Sequence, residues 1–106
     1  MDAIIKQGDT SGKFTDILKV NGVPVNLTGA TVSFVMRAVG RIVVSQAAVI
    51  TNPPGTNGAV EYQPVTNDVA FAGEFKQQWK AVFSDGKILT FPNNTYNKIT
   101  ILPNLQ

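Results

Sequence analysis

The stretch Asp68-Val-Ala-Phe-Ala-Gly-Glu-Phe-Lys-Gln-Gln-Trp-Lys-Ala-Val-Phe-Ser-Asp-Gly-Lys-Ile-Leu-Thr-Phe-Pro92 decides the fold. From Phe75 onward the pattern alternates. Phe75, Gln77, Trp79, Ala81 and Phe83 share one face; Glu74, Lys76, Gln78, Lys80 and Val82 share the other. A period of two held over about ten residues belongs to a strand with one face buried and one in water. Asp85-Gly86 then predicts a tight two-residue turn built on positive φ angles, and the chain returns through Lys87 to Phe91 as a second strand. Corner, long strand, turn and strand together make this an antiparallel β protein.

Upstream, the same grammar repeats. Ala3 to Gln7 is a short candidate strand, followed by the small polar turn Gly8-Asp9-Thr10-Ser11-Gly12. Lys13 to Val20 and Val23 to Leu27 flank Asn21-Gly22, the strongest dipeptide for a type I′ hairpin. Pro24 lacks a ladder donor, which places its segment at an edge or bulge. Ala30 to Val39 alternates, with Val32, Phe34, Met36 and Ala38 on one face and Thr31, Ser33, Val35 and Arg37 on the other. Gly40 marks a reversal, and Arg41 to Thr51 reads as one long apolar strand. The consecutive prolines of Asn52-Pro53-Pro54-Gly55-Thr56-Asn57 exclude a ladder there. Gly58 to Gln63 is a strand, Pro64 to Phe71 has room for one helical turn with Thr66 as its cap, and Tyr96 to Leu102 closes the chain. This gives about eight or nine strands spaced by about 8–12 residues, the pattern of a β-sandwich or barrel.

A length of 106 residues fits a single domain spanning 1–106, able to bury roughly 65% of its unfolded surface without staples. Charged residues make up only 15% and leave a net charge of +2. The nine cations are scattered rather than clustered in sequence, which argues against a nucleic-acid patch. Cysteine is absent, which fits synthesis in a reducing compartment. No apolar run approaches the ~20 residues of a membrane-spanning helix, and Met1-Asp-Ala-Ile-Ile-Lys6 lacks the basic and apolar regions of a secretory signal.

The residue inventory narrows the chemistry. Without His and Cys there is neither a Ser-His-Asp nor a Cys-His arrangement, and zinc loses its two main ligands. The seven carboxylates are Asp2, Asp9, Asp16, Glu61, Asp68, Glu74 and Asp85, and no spacing among them selects a catalytic pair. Gly8 to Gly12 offers oxygens but not the spaced acids of a calcium loop, and no phosphate-binding Gly-rich loop is present. The expected catalytic, cofactor-binding and metal residues are therefore none. Asn26-Leu-Thr28 and Asn93-Asn-Thr95 match the glycosylation triplet but lack the secretory context that would give it meaning. Asp68 is expected to bond backbone amides at the corner between sheets. The corner Asp68-x-Ala70-x-x-Gly73-x-Phe75 resembles the entry to a strand of immunoglobulin-like sandwiches.

Five segments carry a broader resemblance. They are Gln7-Gly-Asp-Thr-Ser-Gly12, Val25-Asn-Leu-Thr-Gly-Ala-Thr-Val-Ser-Phe34, Asp68-x-x-x-Ala72-Gly73-x-Phe75, Ser84-Asp-Gly-Lys-Ile-Leu-Thr-Phe-Pro92 and Ile99-Thr-Ile101. In that order they resemble the N-terminal domain of phage baseplate upper proteins. The resemblance covers nearly the whole chain and rests on the ordered combination. It implies an immunoglobulin-like antiparallel β-sandwich in the tail of a phage or prophage of Gram-positive bacteria. That sandwich would be either a short member of the family or the leading domain of a longer chain. It implies a non-enzymatic module, made in the host cytoplasm and carried in the virion, that positions receptor-binding or tail-tip proteins. Its implied partners are other baseplate proteins and further copies of itself, with neither nucleic acid nor membrane. Val35, Val82 and Val43, the loop Asn52 to Asn57 and the Gly8–Gly12 turn are the candidate contact points. Two rival readings are a carbohydrate-binding or adhesive module, for which Tyr62 and Tyr96 would be the aromatic platforms, and a bacterial surface-stalk repeat.

Overall fold

The computed structural model describes residues 1–38, 41–53, 55–93 and 95–105. Among these residues eleven strands run in chain order: β1 Ala3–Lys6, β2 Phe14–Ile17, β3 Lys19–Val20, β4 Val23–Pro24, β5 Thr31–Ala38, β6 Arg41–Ala47, β7 Val49–Ile50, β8 Ala59–Tyr62, β9 Gly73–Val82, β10 Ile88–Phe91 and β11 Asn97–Leu102. One 3-10 turn, Thr66–Val69, joins β8 to β9. A six-stranded sheet follows the path β1-β11-β9-β5-β6, with β10 also paired to β9. A three-stranded sheet, β2-β8-β7, faces it across the core, and β3 and β4 form a separate hairpin.

β9 organises the larger sheet. It pairs with β5 from Thr31↔Val82 to Arg37↔Lys76, and its other side is shared between β11 and β10. The expected alternation holds along it: Phe75, Gln77, Trp79 and Ala81 are buried, whereas Glu74, Lys76, Lys80 and Val82 are exposed. On β5, Val32, Phe34 and Met36 point the same way into the core.

Aromatic rings fill the space between the sheets. The Phe34 ring, from the large sheet, stacks on Tyr62 at 4.4 Å and on Phe14 at 5.2 Å, both from the small sheet. Phe14 and Tyr62 are themselves cross-strand partners. Trp79 meets Phe34 edge-on at 5.2 Å and is wholly buried. Edge-to-face and offset-stacked pairs of this kind add about 0.5–1.5 kcal/mol each beyond the area they bury.

Several segments depart from the sequence reading. Lys13 to Val20 is not one strand. It breaks at Leu18, which is buried and donates its N–H to the Gly58 carbonyl at 2.8 Å, so β2 and β3 lie in different sheets. Val23 to Leu27 shortens to β4, and Leu27 becomes a fully buried plug bonded to the Gly55 carbonyl. Arg41 to Thr51 crosses from one sheet to the other at Ala48, whose N–H donates to the Val32 carbonyl at 2.8 Å. Strands that switch sheets in this way make the corners of a sandwich. These two breaks raise the expected eight or nine strands to eleven. The pairing is antiparallel except for β1 and β11, which run parallel with Ala3 opposite Ile99.

The hairpin after β9 is looser than its Asp85-Gly86 signal predicts. Only Gly86 has positive φ, at 87°. Gly86 N–H donates to the Phe83 carbonyl and Phe83 N–H to the Lys87 carbonyl. That is a three-residue loop, Ser84 to Gly86, with glycine supplying the left-handed position. Asn21 and Gly22 both hold positive φ, at 51° and 79°, as expected for their hairpin. Thr66 is not the helix cap: it lies inside the turn, and Val65 occupies the cap position. The expected reversal at Gly40 lies outside the described residues.

Gly58 sits where the β2–β3 break packs against β8. Its φ is +73°, and a β-carbon there would lie 2.6 Å from the Leu18 carbonyl oxygen. Gly58→Ala is therefore expected to cost about 2–4 kcal/mol, combining left-handed strain with a backbone clash. Gly12→Ala, with nothing within 4 Å of the added carbon, should stay within about 0.5 kcal/mol of the parent. Urea denaturation followed by tryptophan fluorescence separates the two; equal stabilities would contradict the packing at Leu18.

Candidate functional site

The interior polar groups are engaged with one another. Trp79 donates its indole N–H to Asp16 Oδ2 at 3.1 Å, tying β9 to β2 across the sandwich. The N-terminal ammonium of Met1 lies 3.6 Å from the same oxygen and donates to Asn97 Oδ1 at 2.6 Å. Asn97 Nδ2 donates in turn to Gln77 Oε1 at 2.8 Å. Gln77, on the buried face of β9, thus finds a partner for its carbonyl, while its Nε2 has none. An unpaired buried donor costs roughly 1–3 kcal/mol.

Asp68 occupies the corner as expected and does more than the sequence indicates. Its Oδ2 accepts the Val65 N–H at 3.0 Å and also the Tyr62 hydroxyl at 2.6 Å. Tyr62 is 6% exposed. Burial first, then the hydrogen bond and charge of Asp68, push its phenol well above the ordinary tyrosine value. Tyr62 is thus a core residue with a polar tip, and it is lost as a sugar platform. Tyr96 remains, 47% exposed, with the Lys76 ammonium 4.6 Å from its ring centre.

The segments behind the family resemblance meet in space. Gly8 N–H donates to the Val69 carbonyl at 3.0 Å and Gln7 Nε2 to the Ala70 carbonyl at 2.6 Å, so the first turn clasps the Asp68 corner. Gln63 Nε2 bonds the Thr10 and Gly12 carbonyls and closes the same turn from below. Asn26 Oδ1 accepts both the backbone N–H and the hydroxyl of Thr28, an Asx turn that gives the first glycosylation-like triplet a structural role.

Among the described residues no group of three His, Cys, Asp or Glu side chains is gathered for a metal ion. No helix among them is long and apolar enough to cross a membrane. Glu61 pairs with Lys13 and Glu74 with Lys98, both on outer faces. Apolar surface is exposed in several places. A cleft of about 560 Å³ opens between the free edges of β1 and β2, floored by Ile5, Phe14 and Pro64 and bordered by Ile4 and Leu102, which are 70% and 41% exposed. Phe71 and Val65 stand out from the corner at 65% and 57%. Of the valines expected at a contact, Val82 is 36% exposed, whereas Val35 is half-buried and Val43 packs on the core. In the loop 52–57, Asn52, Pro53, Thr56 and Asn57 are exposed and Gly55 is buried, with Pro54 outside the described residues.

The chain is an all-β, sandwich-like domain whose two sheets are joined by stacked rings and by the Trp79–Asp16 hydrogen bond. The model of the BppU N-terminal domain matches residues 3–92, and the chain belongs to that family of phage baseplate domains. Among solved structures it is similar to the N-terminal domain of phage TP901-1 ORF48, with a TM-score of 0.68 and 15% identity. That match covers 98% of this chain and 85% of the other. It is also similar in fold to CopC from Methylosinus trichosporium OB3b, with a TM-score of 0.56 and 13% identity over 99% of this chain and 87% of that one. No curated protein matches the sequence. The family gives the chain a structural role in the phage tail or baseplate.

The Tyr62–Asp68 pair yields a pH test. The folded phenol titrates above the unfolded one, so its stabilisation is complete below about pH 10 and is lost as pH rises from there toward the folded value. Tyr62→Phe should lower stability at pH 7 by about 1–3 kcal/mol. It should also flatten the alkaline decline above about pH 10 by up to about 1.4 kcal/mol per pH unit. Urea denaturation at stepped pH measures both, and parallel alkaline slopes in the two proteins would remove Tyr62 from the corner.

Proposed function

We propose that this chain is an immunoglobulin-like sandwich module, folding as one domain over 1–106, that attaches or positions receptor-binding or tail-tip proteins in a phage or prophage baseplate. It does so by protein–protein contact alone, repeated in several copies in the virion, without enzymatic, nucleic-acid or membrane chemistry. The observation that carries this reading is the family match over residues 3–92. Large apolar side chains left uncovered at the sheet margins support it: Ile4, Leu102 and Phe71 form the kind of surface that another protein covers. The interior adds further support, since its Asp16 and Asp68 carboxylates are occupied in holding Trp79 and Tyr62. The carbohydrate reading has less to stand on, because one of its two tyrosines is stacked inside the core.

The test is co-expression with the structural proteins encoded by neighbouring tail genes, followed by size-exclusion chromatography. The chain is expected to elute in a complex with at least one of them. Ile4→Lys, on the exposed face of β1, is expected to weaken that complex with little change in Tm. Elution of the wild-type chain alone, whatever its neighbours, would contradict the reading.

A further inference from the structure

We propose that the outer face of the six-stranded sheet carries a docking site for a carboxylate-bearing segment of a partner protein, centred on a row of three cations. Lys76 on β9 stands directly opposite Arg37 on β5 and directly opposite Lys98 on β11. Residues opposite one another on neighbouring strands point to the same side, and the strands are about 4.8 Å apart. Arg37, Lys76 and Lys98 therefore form a transverse row of like charge, although they are far apart in sequence. All three are exposed.

Opposed like charges on adjacent strands destabilise a sheet, and this row is only partly neutralised. Glu74 pairs with Lys98 at 3.1 Å, and the Tyr96 ring lies under the Lys76 ammonium. Among the described residues no carboxylate pairs with Arg37 or Lys76. The β5–β6 ladder shifts register between Met36 and Arg37, with Val43 the extra residue on β6 beside the row. The row borders a cleft of about 590 Å³ to which Ala38 and Tyr96 also contribute. A guanidinium fork and an ammonium side by side suit discrete carboxylates, and the guanidinium can hold one of them through two hydrogen bonds.

The patch selects among anions. Glu74 lies beside the row and would repel a uniformly charged polymer, whereas it tolerates a protein segment in which acidic residues alternate with neutral or basic ones. The exposed Tyr96 ring offers apolar contact to the stems of such a segment. The charge pattern thus favours a mixed-sequence acidic peptide over a continuous polyanion. This proposal rests on the assembly reading above and specifies one surface for it.

The probe is a fluorescein-labelled peptide with three glutamates and one lysine at alternate positions, followed by fluorescence polarisation at low salt; a glycerol-phosphate polymer serves as the second arm. Wild type is expected to bind the peptide saturably, and Arg37→Gln with Lys76→Gln to weaken it about tenfold or more. Lys19→Gln with Lys87→Gln, the same charge change elsewhere, should change it less than about twofold. Arg37→Gln alone should raise Tm by about 1–3 °C by relieving the row, which shows that lost binding is not lost folding. No peptide binding, equal weakening in both double variants, or binding of the polymer without the peptide would each overturn the proposal. In the co-expression assay, a complex that survives Arg37→Gln with Lys76→Gln overturns the row and leaves the assembly reading standing. A wild-type chain that joins no tail protein overturns both.

Discussion

The fold depends on the contact between Trp79 and Phe34 in the large sheet and Phe14 and Tyr62 in the small one. These rings are what keeps two sheets of unequal size face to face. Each carries a further tie or neighbour that fixes its place: the Trp79 indole reaches Asp16 on β2, and the Tyr62 hydroxyl reaches Asp68 at the corner leading into β9. Hydrogen bonds to ionised acceptors contribute about 1.5–3 kcal/mol each, but their larger effect is on geometry. The register of β9 against β2, and of the corner against β8, follows from where those two rings end.

The polar side chains where the two sheets meet are occupied within the fold. Here Asp16 is engaged by the indole and the N-terminal ammonium, and Asp68 by a phenol and a backbone amide. What remains available to other molecules lies outside: the uncovered edges of β1 and β2, the apolar corner at Phe71, and the cationic row across β5, β9 and β11. The chain's membership of a phage baseplate domain family gives those margins a setting among other tail proteins.

Local signals proved legible in the sequence, and non-local ones did not. The alternation of β5 and β9 and the Asn21-Gly22 hairpin are set by neighbours within a few residues, so they could be read directly. The crossing at Ala48 has no glycine or proline to mark it: Ser45, Gln46 and Ala47 are exposed ahead of it and Ala48 and Ile50 half-buried beyond it, and only the change of pairing partner from β5 to β8 reveals the switch. The parallel pairing of β1 with β11, Ala3 opposite Ile99, joins residues from the two ends of the sequence and has no local mark at all. Tyr62 and Tyr96 illustrate the same limit at the site. Both lie near strand ends, and only the opposite sheet decides that one is stacked on Phe34 while the other stays in water. The row of Arg37, Lys76 and Lys98 looked like scattered charge because it is assembled by register between strands, not by spacing along the chain.

The most direct measurement is the fluorescence of Trp79, the sole tryptophan, under acrylamide quenching in the native protein. Its full burial between the two sheets predicts a blue-shifted emission and a quenching constant several-fold below that of the urea-unfolded chain. Emission at the wavelength of the unfolded chain, with quenching just as efficient, would show that the two sheets do not close over this ring.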